Sequence, residues 1–211
     1  MTLLKEEKIL VVGTATGLEE ALAWQTLGAD AVCLQGIEAG GHRGSFLSDQ
    51  ANGLDLSNLL QICRNPIRLP IIAAGAIMDG HGIRRALAQG ADLVQMGTAF
   101  LSCAEAGTHV AHRQALLQAK PGDSCLTRAF SGRYARGLRN RFIDLMQAHE
   151  NLVPNYPIQN ALTGSIRAHA SANSNAEYMS LWAGQGAHLS RALSVAELFR
   201  ALLSEWREAQ A

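Results

Sequence analysis

This sequence has no excess of charge of one sign, no long apolar run and no N-terminal stretch that resembles a signal peptide. Its 18 lysine and arginine residues balance 18 aspartate and glutamate residues, so no basic field exists to bind a nucleic acid. No apolar run approaches the ~18 residues of a membrane helix. Residues 1–8 mix acidic and basic side chains, unlike signal or transit peptides. We therefore expect a cytoplasmic protein with no nucleic acid and no membrane partner.

Paired metal or redox motifs are also missing. The widely spaced cysteines, none in a C-x-x-C pair, are Cys33, Cys63, Cys103 and Cys125. We expect them to be small buried thiols in a reducing compartment. His109 and His112 lie three residues apart on a predicted helix, but no third ligand accompanies them. We therefore predict no metal site and assign both histidines to a solvated helix face.

The first half of the sequence alternates short apolar runs with amphipathic stretches. Each apolar run ends at a glycine, and near-continuous apolar strands of this kind are typical of a parallel sheet that is buried on both faces. The right-handed crossover rule then leaves either a doubly wound sheet or part of a barrel. The predicted strands are 8–12, 31–35, 70–74 and 93–96, and the predicted helices between them are 18–27, 56–64 and 82–89.

The strand signal ends near residue 104. The predicted helices beyond it are 105–119, 176–182 and 195–208, with a loop-to-helix pattern at 133–149. In the last helix Leu198, Leu202 and Trp206 recur every four residues, which indicates a face packed against the body of the protein. We therefore predict one domain, with βα units over 1–104 and a helical segment over 105–211 packed on them.

Residues 36–44 form a glycine-rich loop after the second predicted strand. Glycines in the loop let the backbone approach a ligand closely, and His42 lies near its tip. Barrel active sites form at the C-terminal ends of strands, so His42 is a candidate catalytic residue. The alternative is a flexible surface turn with an incidental histidine.

Glycines also end the last two predicted strands, at Gly75 and Gly97. In barrels, turns of this kind commonly hold a phosphate through backbone N–H groups, and the Thr98 hydroxyl can add a donor. Two ordinary strand-to-helix turns are the alternative. A dinucleotide site after the first strand is disfavoured, because Gly13 and Gly17 lack the third glycine of that fingerprint.

The glycine loop and the strand-end turns belong to a set of motifs that spans nearly the whole chain. The motifs are residues 28–32, 35–44, 73–80, 90–101, 127–133, 135–137, 155–160 and 181–186. In them the sequence resembles the nitronate monooxygenase family, once named 2-nitropropane dioxygenase. The resemblance implies an FMN-dependent oxidoreductase that uses O₂ to convert alkyl nitronates into a carbonyl compound and nitrite. Its substrate would be a small nitronate or nitroalkane.

The same resemblance assigns roles by position. His42 matches the catalytic histidine, and a histidine with a pKa near ~6.5 can act as base toward the acidic C–H beside a nitro group. The residues placed against FMN or its phosphate are Gly40, Gly41, Gly75, Gln95, Met96, Gly97 and Thr98. One departure is Ala76, where the family commonly has a second glycine. Its methyl group would crowd the turn if φ is positive there.

The resemblance also implies the C-terminal half of a flavin-binding (β/α)₈ TIM barrel, an α/β fold in which four parallel strands precede a helical C-terminal segment. Family members carry four further βα units before the point where this chain begins. We therefore expect a truncated form that is a homo-oligomer or pairs with a complementing N-terminal half. Two other functions stay open: a flavin-dependent enoyl-acyl-carrier-protein reductase, and an inactive half-barrel that acts as a binding or assembly module. Residues 130–141 and 182–186 favour the monooxygenase.

Overall fold

The computed structural model describes residues 1–47 and 52–209. The strands and α-helices, in chain order, are α1 (Thr2–Glu6), β1 (Val12–Ala15), α2 (Leu18–Thr26), β2 (Ala31–Gln35), β3 (Gly41–His42), α3 (Leu56–Cys63), β4 (Ile71–Ala74), α4 (Gly80–Ala88), β5 (Leu93–Gln95), α5 (Thr98–Leu101), α6 (Val110–Gln118), β6 (Ser124–Thr127), β7 (Ala135–Leu138), α7 (Arg141–Gln147), α8 (Ile158–Leu162), α9 (Gly164–Ala172) and α10 (Val195–Glu208). They fall into two compact units. The parallel-sheet unit comprises Met1–Ala39, Gly44–Met96 and Ala201–Ala211, and the antiparallel-sheet unit comprises Gly40–Arg43 and Gly97–Arg200.

The parallel-sheet unit is built on four parallel strands in the order β1-β2-β4-β5. Helices α2, α3 and α4 follow β1, β2 and β4, as the sequence predicts. Helix α3 begins where the Asp55 carboxylate accepts the N–H of Asn58, and its Leu59, Leu60 and Cys63 are fully buried in the core of this unit. The predicted α/β fold with four parallel strands is therefore confirmed.

The first strand lies later in the chain than the sequence predicts. The apolar run 8–12 indicated it, but β1 begins only at Val12. Leu10 is 79% exposed, while Gly13 is buried. A Cβ on Gly13 would lie 2.1 Å from the Trp24 indole. Packing against that ring explains this glycine, and a nucleotide is not needed to explain it.

The antiparallel-sheet unit contains a three-stranded antiparallel sheet in the order β3-β7-β6. Strand β7 lies in the middle, and all its residues are buried, Arg136 included. An isolated bridge joins Gly137 to Trp182. Two apolar clusters pack in this unit, one around Leu116 and the other around Phe130.

The predicted helical C-terminal segment is present, but the sequence did not predict the antiparallel strands that lie within it. Strands β6 and β7 place cysteine, threonine, arginine and glycine in short runs, so no period-two alternation of apolar residues marks them. The helix predicted over 105–119 begins only at Val110, where the His109 ring caps it. The helix predicted over 176–182 is a single 3₁₀ turn, Ala176–Tyr178.

Elements with a strong periodic pattern agree with the sequence. Strand β2 and helix α10 have the predicted bounds. Helices α2, α3 and α4 begin and end within two residues of their predicted bounds. Leu198 and Leu202 are 1% and 4% exposed, which confirms the packed face of α10. Within the described residues no helix combines the length and the apolar character that crossing a membrane requires.

Candidate active site

His42 is carried by the short strand β3. This strand pairs antiparallel with β7, with His42 opposite Ala135, and the N–H of Arg43 donates to the Tyr134 carbonyl oxygen at 2.8 Å. Gly41 has a φ of 78°, a left-handed value that glycine adopts without strain. Residues 41–42 of the glycine-rich loop therefore form a strand, and its pairing with β7 fixes the backbone position of His42.

The His42 ring has side-chain partners within the antiparallel-sheet unit. Its Nε2 lies 2.8 Å from Ser131 Oγ, and the Trp182 ring packs edge-on against it with centroids 5.3 Å apart. Ser131 is 2% exposed, whereas the His42 side chain is accessible to solvent although neighbouring groups partly cover its ring. An accessible ring with one nitrogen bonded to a buried hydroxyl is the arrangement of an oriented general base.

The surroundings of His42 hold its pKa below the usual value. Partial burial of the ring is the largest cause, and the positive charges of Arg133 and Arg167 add to it. Both effects disfavour the imidazolium cation. They therefore favour the neutral imidazole, which is the form that can accept a proton.

The loop that carries Ser131 is fixed by side chains from α8 and the turn after it. Gln159 Nε2 donates to the Ala129 carbonyl oxygen at 2.6 Å, and Thr163 Oγ1 donates to the Phe130 carbonyl oxygen at 2.5 Å. The Phe130 ring is 1% exposed and lies edge-on against the Trp182 ring. The residues on both sides of His42 are thus held by buried contacts.

Gly40 is explained by close packing. A Cβ on Gly40 would lie 2.5 Å from the backbone nitrogen of Gly184. The N–H of Gly184 donates to Thr98 Oγ1 at 2.9 Å. A hydroxyl oxygen that accepts a hydrogen bond still has its own hydrogen to donate, so Thr98 keeps the donor that a phosphate requires.

Two residues with positive φ follow strand β4. Gly75 has a φ of 148° and Ala76 a φ of 49°. The second value is the left-handed conformation, which an alanine adopts only with strain. The turn therefore requires a positive φ at Ala76. This is the condition under which the sequence predicts that the Ala76 methyl group crowds the turn.

The residues predicted to bind phosphate after the fourth strand are divided between the units. Gln95 and Met96 belong to the parallel-sheet unit, and Gly97 to the antiparallel-sheet unit. The Gln95 side-chain oxygen accepts a hydrogen bond from the Cys33 thiol at 3.7 Å. A Cβ built on Gly97 or on Gly41 would meet nothing within 4 Å. These two glycines therefore border open space.

Outside the His42 region, the expected solvent exposure of His112 is wrong, whereas the expected burial of the cysteines is largely met. His112 Nε2 is buried, so the predicted solvated helix face is wrong for this residue. All the cysteines are free; three are buried and Cys125 is partly buried. No group of three or more histidine, cysteine, aspartate or glutamate side chains is placed to hold a metal ion in the described part of the chain.

Sequence reasoning assigned no role to Ser131 or Trp182. Both lie in segments that carry the family resemblance, 127–133 and 181–186. The family resemblance of these segments could have drawn attention to both residues, but it does not reveal which side chains Ser131 and Trp182 contact. Only the pairing of β3 with β7 shows that both residues meet His42.

Comparisons with known proteins agree on one family. The family model described as Nitronate monooxygenase matches residues 1–205. A probable nitronate monooxygenase of Staphylococcus aureus (strain JH9) is 44% identical over 189 residues, which cover 89% of this chain and 53% of the relative. Another of these relatives, from strain Newman, is 43% identical over 189 residues. The chain thus spans about half the length of the curated relatives it matches.

Solved structures give the same picture. Nitroalkane oxidase from Streptomyces ansochromogenes is 41% identical with a TM-score of 0.91, and the match covers 99% of this chain and 60% of that one. FabK from Thermotoga maritima is 30% identical with a TM-score of 0.85, and the match covers 100% of this chain and 65% of that one. The chain therefore has the fold of the corresponding part of both proteins.

Proposed function

This chain belongs to the nitronate monooxygenase family, and we propose that it carries the base and the phosphate-binding turns of an FMN-dependent enzyme that oxidises alkyl nitronates with O₂, giving a carbonyl compound and nitrite. The observation that carries the proposal is the contact of the solvent-accessible His42 imidazole with the buried Ser131 hydroxyl, in surroundings that hold the His42 pKa below its usual value. A C–H bond beside a nitro group is acidic enough for such a base.

In the proposed first step, His42 removes the proton from the carbon that bears the nitro group. The electron pair of the C–H bond moves onto the nitro oxygens, which leaves an anionic nitronate and an imidazolium. The positive charges of Arg133 and Arg167 oppose protonation of His42 and also attract the anion that forms. Because His42 must be neutral to act, turnover of a neutral nitroalkane should fall as the pH drops through the lowered pKa of His42.

The cofactor assignment rests on the family resemblance and on the open space at two glycines. By the resemblance, the residues that contact FMN or its phosphate are Gly40, Gly41, Gly75, Gln95, Met96, Gly97 and Thr98. The open Cβ side of Gly41 and of Gly97 fits a group that approaches the backbone, and Thr98 retains a hydroxyl donor. Gly40 supports the same loop through its packing against Gly184. When bound, the flavin supplies the electron chemistry, and these residues position it.

A valine at position 97 tests the cofactor assignment. Since a Cβ on Gly97 would meet nothing within 4 Å apart from its own chain neighbours, the Gly97→Val chain should fold. We expect it to lose FMN binding, because the side chain fills the space assigned to the cofactor. The measurement is flavin absorbance retained after FMN loading and gel filtration. Gly107→Val is the matched control, since Gly107 also borders open space; full flavin retention by Gly97→Val would contradict the assignment.

The reaction class is tested by offering the FMN-loaded chain two substrates. We expect nitrite release from propionate 3-nitronate and no oxidation of NADH in the presence of a crotonyl thioester. The reverse pattern would support the enoyl reductase instead. Absence of flavin binding and of both activities would support an assembly module.

A further inference from the structure

We propose that Glu205 of helix α10 is a positioning residue that fixes the turn after β4, residues 75–80, in the strained conformation that receives the flavin phosphate. This inference rests on the proposed function, which assigns Gly75 in the turn to FMN. Residues 201–208 of α10 and the turn belong to the same compact unit, the parallel-sheet unit. The contact between them is a property of the protein alone, so it can be measured whether or not the chain binds a flavin.

The turn contains a residue whose backbone needs support from its surroundings. Ala76 has a φ of 49°, a left-handed value that an alanine adopts only with strain. Strain of this kind persists only where the surrounding structure over-determines the conformation. The strand side of the turn is fixed, because Ala74 pairs with Gln35 of β2 and its carbonyl oxygen accepts the N–H of Gly36 at 2.9 Å. The helix side of the turn, where α4 begins, requires a contact of its own.

Helix α10 supplies that contact at Gly80, the buried first residue of α4. The N–H of Gly80 donates to Glu205 Oε2 at 2.8 Å. The two backbones also pack closely, since a Cβ on Gly80 would lie 2.3 Å from the Trp206 nitrogen and 2.5 Å from the Leu202 carbonyl oxygen. A side chain at position 80 would push α10 away, so packing against α10 explains this glycine.

The residues between Ala76 and Gly80 connect this contact to the strained position. Ile77 and Met78 are 6% and 2% exposed. Because their side chains are buried and the N–H of Gly80 is bonded to α10, a change of φ at Ala76 would have to expose a side chain or break that hydrogen bond. Glu205 therefore helps to keep the turn in the conformation that the structure shows.

The charge of Glu205 and its position have opposite effects on a bound phosphate. A carboxylate repels a phosphate, so removal of the charge alone would strengthen FMN binding. Removal of the hydrogen bond lets the turn relax, which would weaken FMN binding. A weaker affinity for FMN in an alanine variant therefore reports the positioning role and not the charge.

The first test compares FMN with riboflavin, which has the same ring system but no phosphate. The affinities of the unmutated chain and of Glu205→Ala for each flavin are measured by equilibrium dialysis. We expect Glu205→Ala to weaken FMN binding by roughly three- to tenfold, the equivalent of one hydrogen bond, and to leave riboflavin binding unchanged. Unchanged FMN binding, or equal losses for the two flavins as general destabilisation would give, would overturn the proposal.

Glu208→Ala is the matched control. It removes the same charge from the same helix, but Glu208 is exposed and its carboxylate accepts a hydrogen bond from the Ser204 hydroxyl at 2.9 Å. We expect this variant to keep its FMN affinity, and a loss as large as that of Glu205→Ala would overturn the proposal. Glu205→Gln keeps an oxygen that can accept the Gly80 N–H, so it should lose less FMN affinity than Glu205→Ala.

The second test needs no flavin. Amide hydrogen exchange of the full chain, followed by NMR, measures the protection of the Gly80 N–H. We expect this N–H to exchange roughly three- to tenfold faster in Glu205→Ala than in the unmutated chain or in Glu208→Ala. Unchanged exchange at Gly80 would overturn the proposal. If the exchange result holds while the unmutated chain binds neither flavin, the proposed function fails and the role of Glu205 in fixing the turn stands.

Discussion

At the scale of single residues, the sequence singles out His42 as the candidate base but does not identify its partners. His42 is marked by the glycines around it, and its strand-end location is predicted from the apolar run before it. Ser131 and Trp182 are ordinary residue types at a long sequence distance from His42. Their roles depend on which backbones pair, and side-chain type does not encode that information.

Ala76 offers a direct test of backbone strain. Its φ of 49° costs an alanine about 1–2 kcal/mol relative to a glycine, and the greater freedom of an unfolded glycine offsets about 0.4–1 kcal/mol of that. Ala76→Gly should therefore raise the free energy of unfolding by up to about 1.6 kcal/mol. Urea unfolding followed by circular dichroism measures it.

The control for this substitution is Ala88→Gly, in the same unit. Ala88 is the exposed last residue of helix α4, where glycine should lower stability by up to about 1 kcal/mol. The two variants should thus move the unfolding midpoint in opposite directions. Destabilisation by both would show that Ala76 is not strained.

At the scale of elements, prediction succeeded where a pattern repeats and failed where tertiary pairing decides. Helix α10 repeats its apolar residues every four positions, and β2 is a continuous apolar run, so both have the predicted bounds. Strand β3 has only two residues, and β7 buries an arginine and a glycine. Such strands form because neighbouring strands supply their hydrogen-bond partners and other elements cover their side chains. A local sequence pattern cannot show either interaction.

Helix α8 should contribute to stability through Gln159. Gln159 is 5% exposed, and its amide donates to the carbonyl oxygen of Ala129, itself 3% exposed. Gln159→Met keeps the length of the side chain but leaves that buried carbonyl without its donor, so we expect a loss of about 1–3 kcal/mol in the free energy of unfolding. Urea unfolding midpoints give the measurement.

Gln118→Met serves as the matched control, because Gln118 is exposed on helix α6. A surface change of this kind should alter stability by no more than about 0.5 kcal/mol. Equal effects of the two substitutions would mean that the Gln159 hydrogen bond does not anchor the Ser131 loop.

At the scale of the whole molecule, the exposed sheet edges govern behaviour in solution. In the described sheet β1 and β5 are the outer strands, and Val12 and Leu93 on them are 51% and 57% exposed. Open edges with apolar side chains pair with other chains. We expect the 211-residue chain, expressed alone, to associate or aggregate.

Size-exclusion chromatography with light scattering measures this association. Leu93→Lys places a charge on the β5 edge and should shift the population toward the monomer. Leu117→Lys makes the same change on helix α6, where the side chain is 42% exposed, and should leave the distribution unchanged. A monodisperse monomer before any substitution would contradict this account of the edges.

We infer that His42 is the base that converts a neutral nitroalkane into the nitronate that is then oxidised, and the most direct test of this role compares two substrates in one variant. Nitrite release is measured for the FMN-loaded chain and its His42→Ala variant, with a neutral nitroalkane and with the preformed nitronate of the same compound. We predict a loss of about 10²–10⁴-fold on the nitroalkane, the usual contribution of a general base, and a far smaller loss on the nitronate. Equal losses on both substrates would contradict proton abstraction by His42.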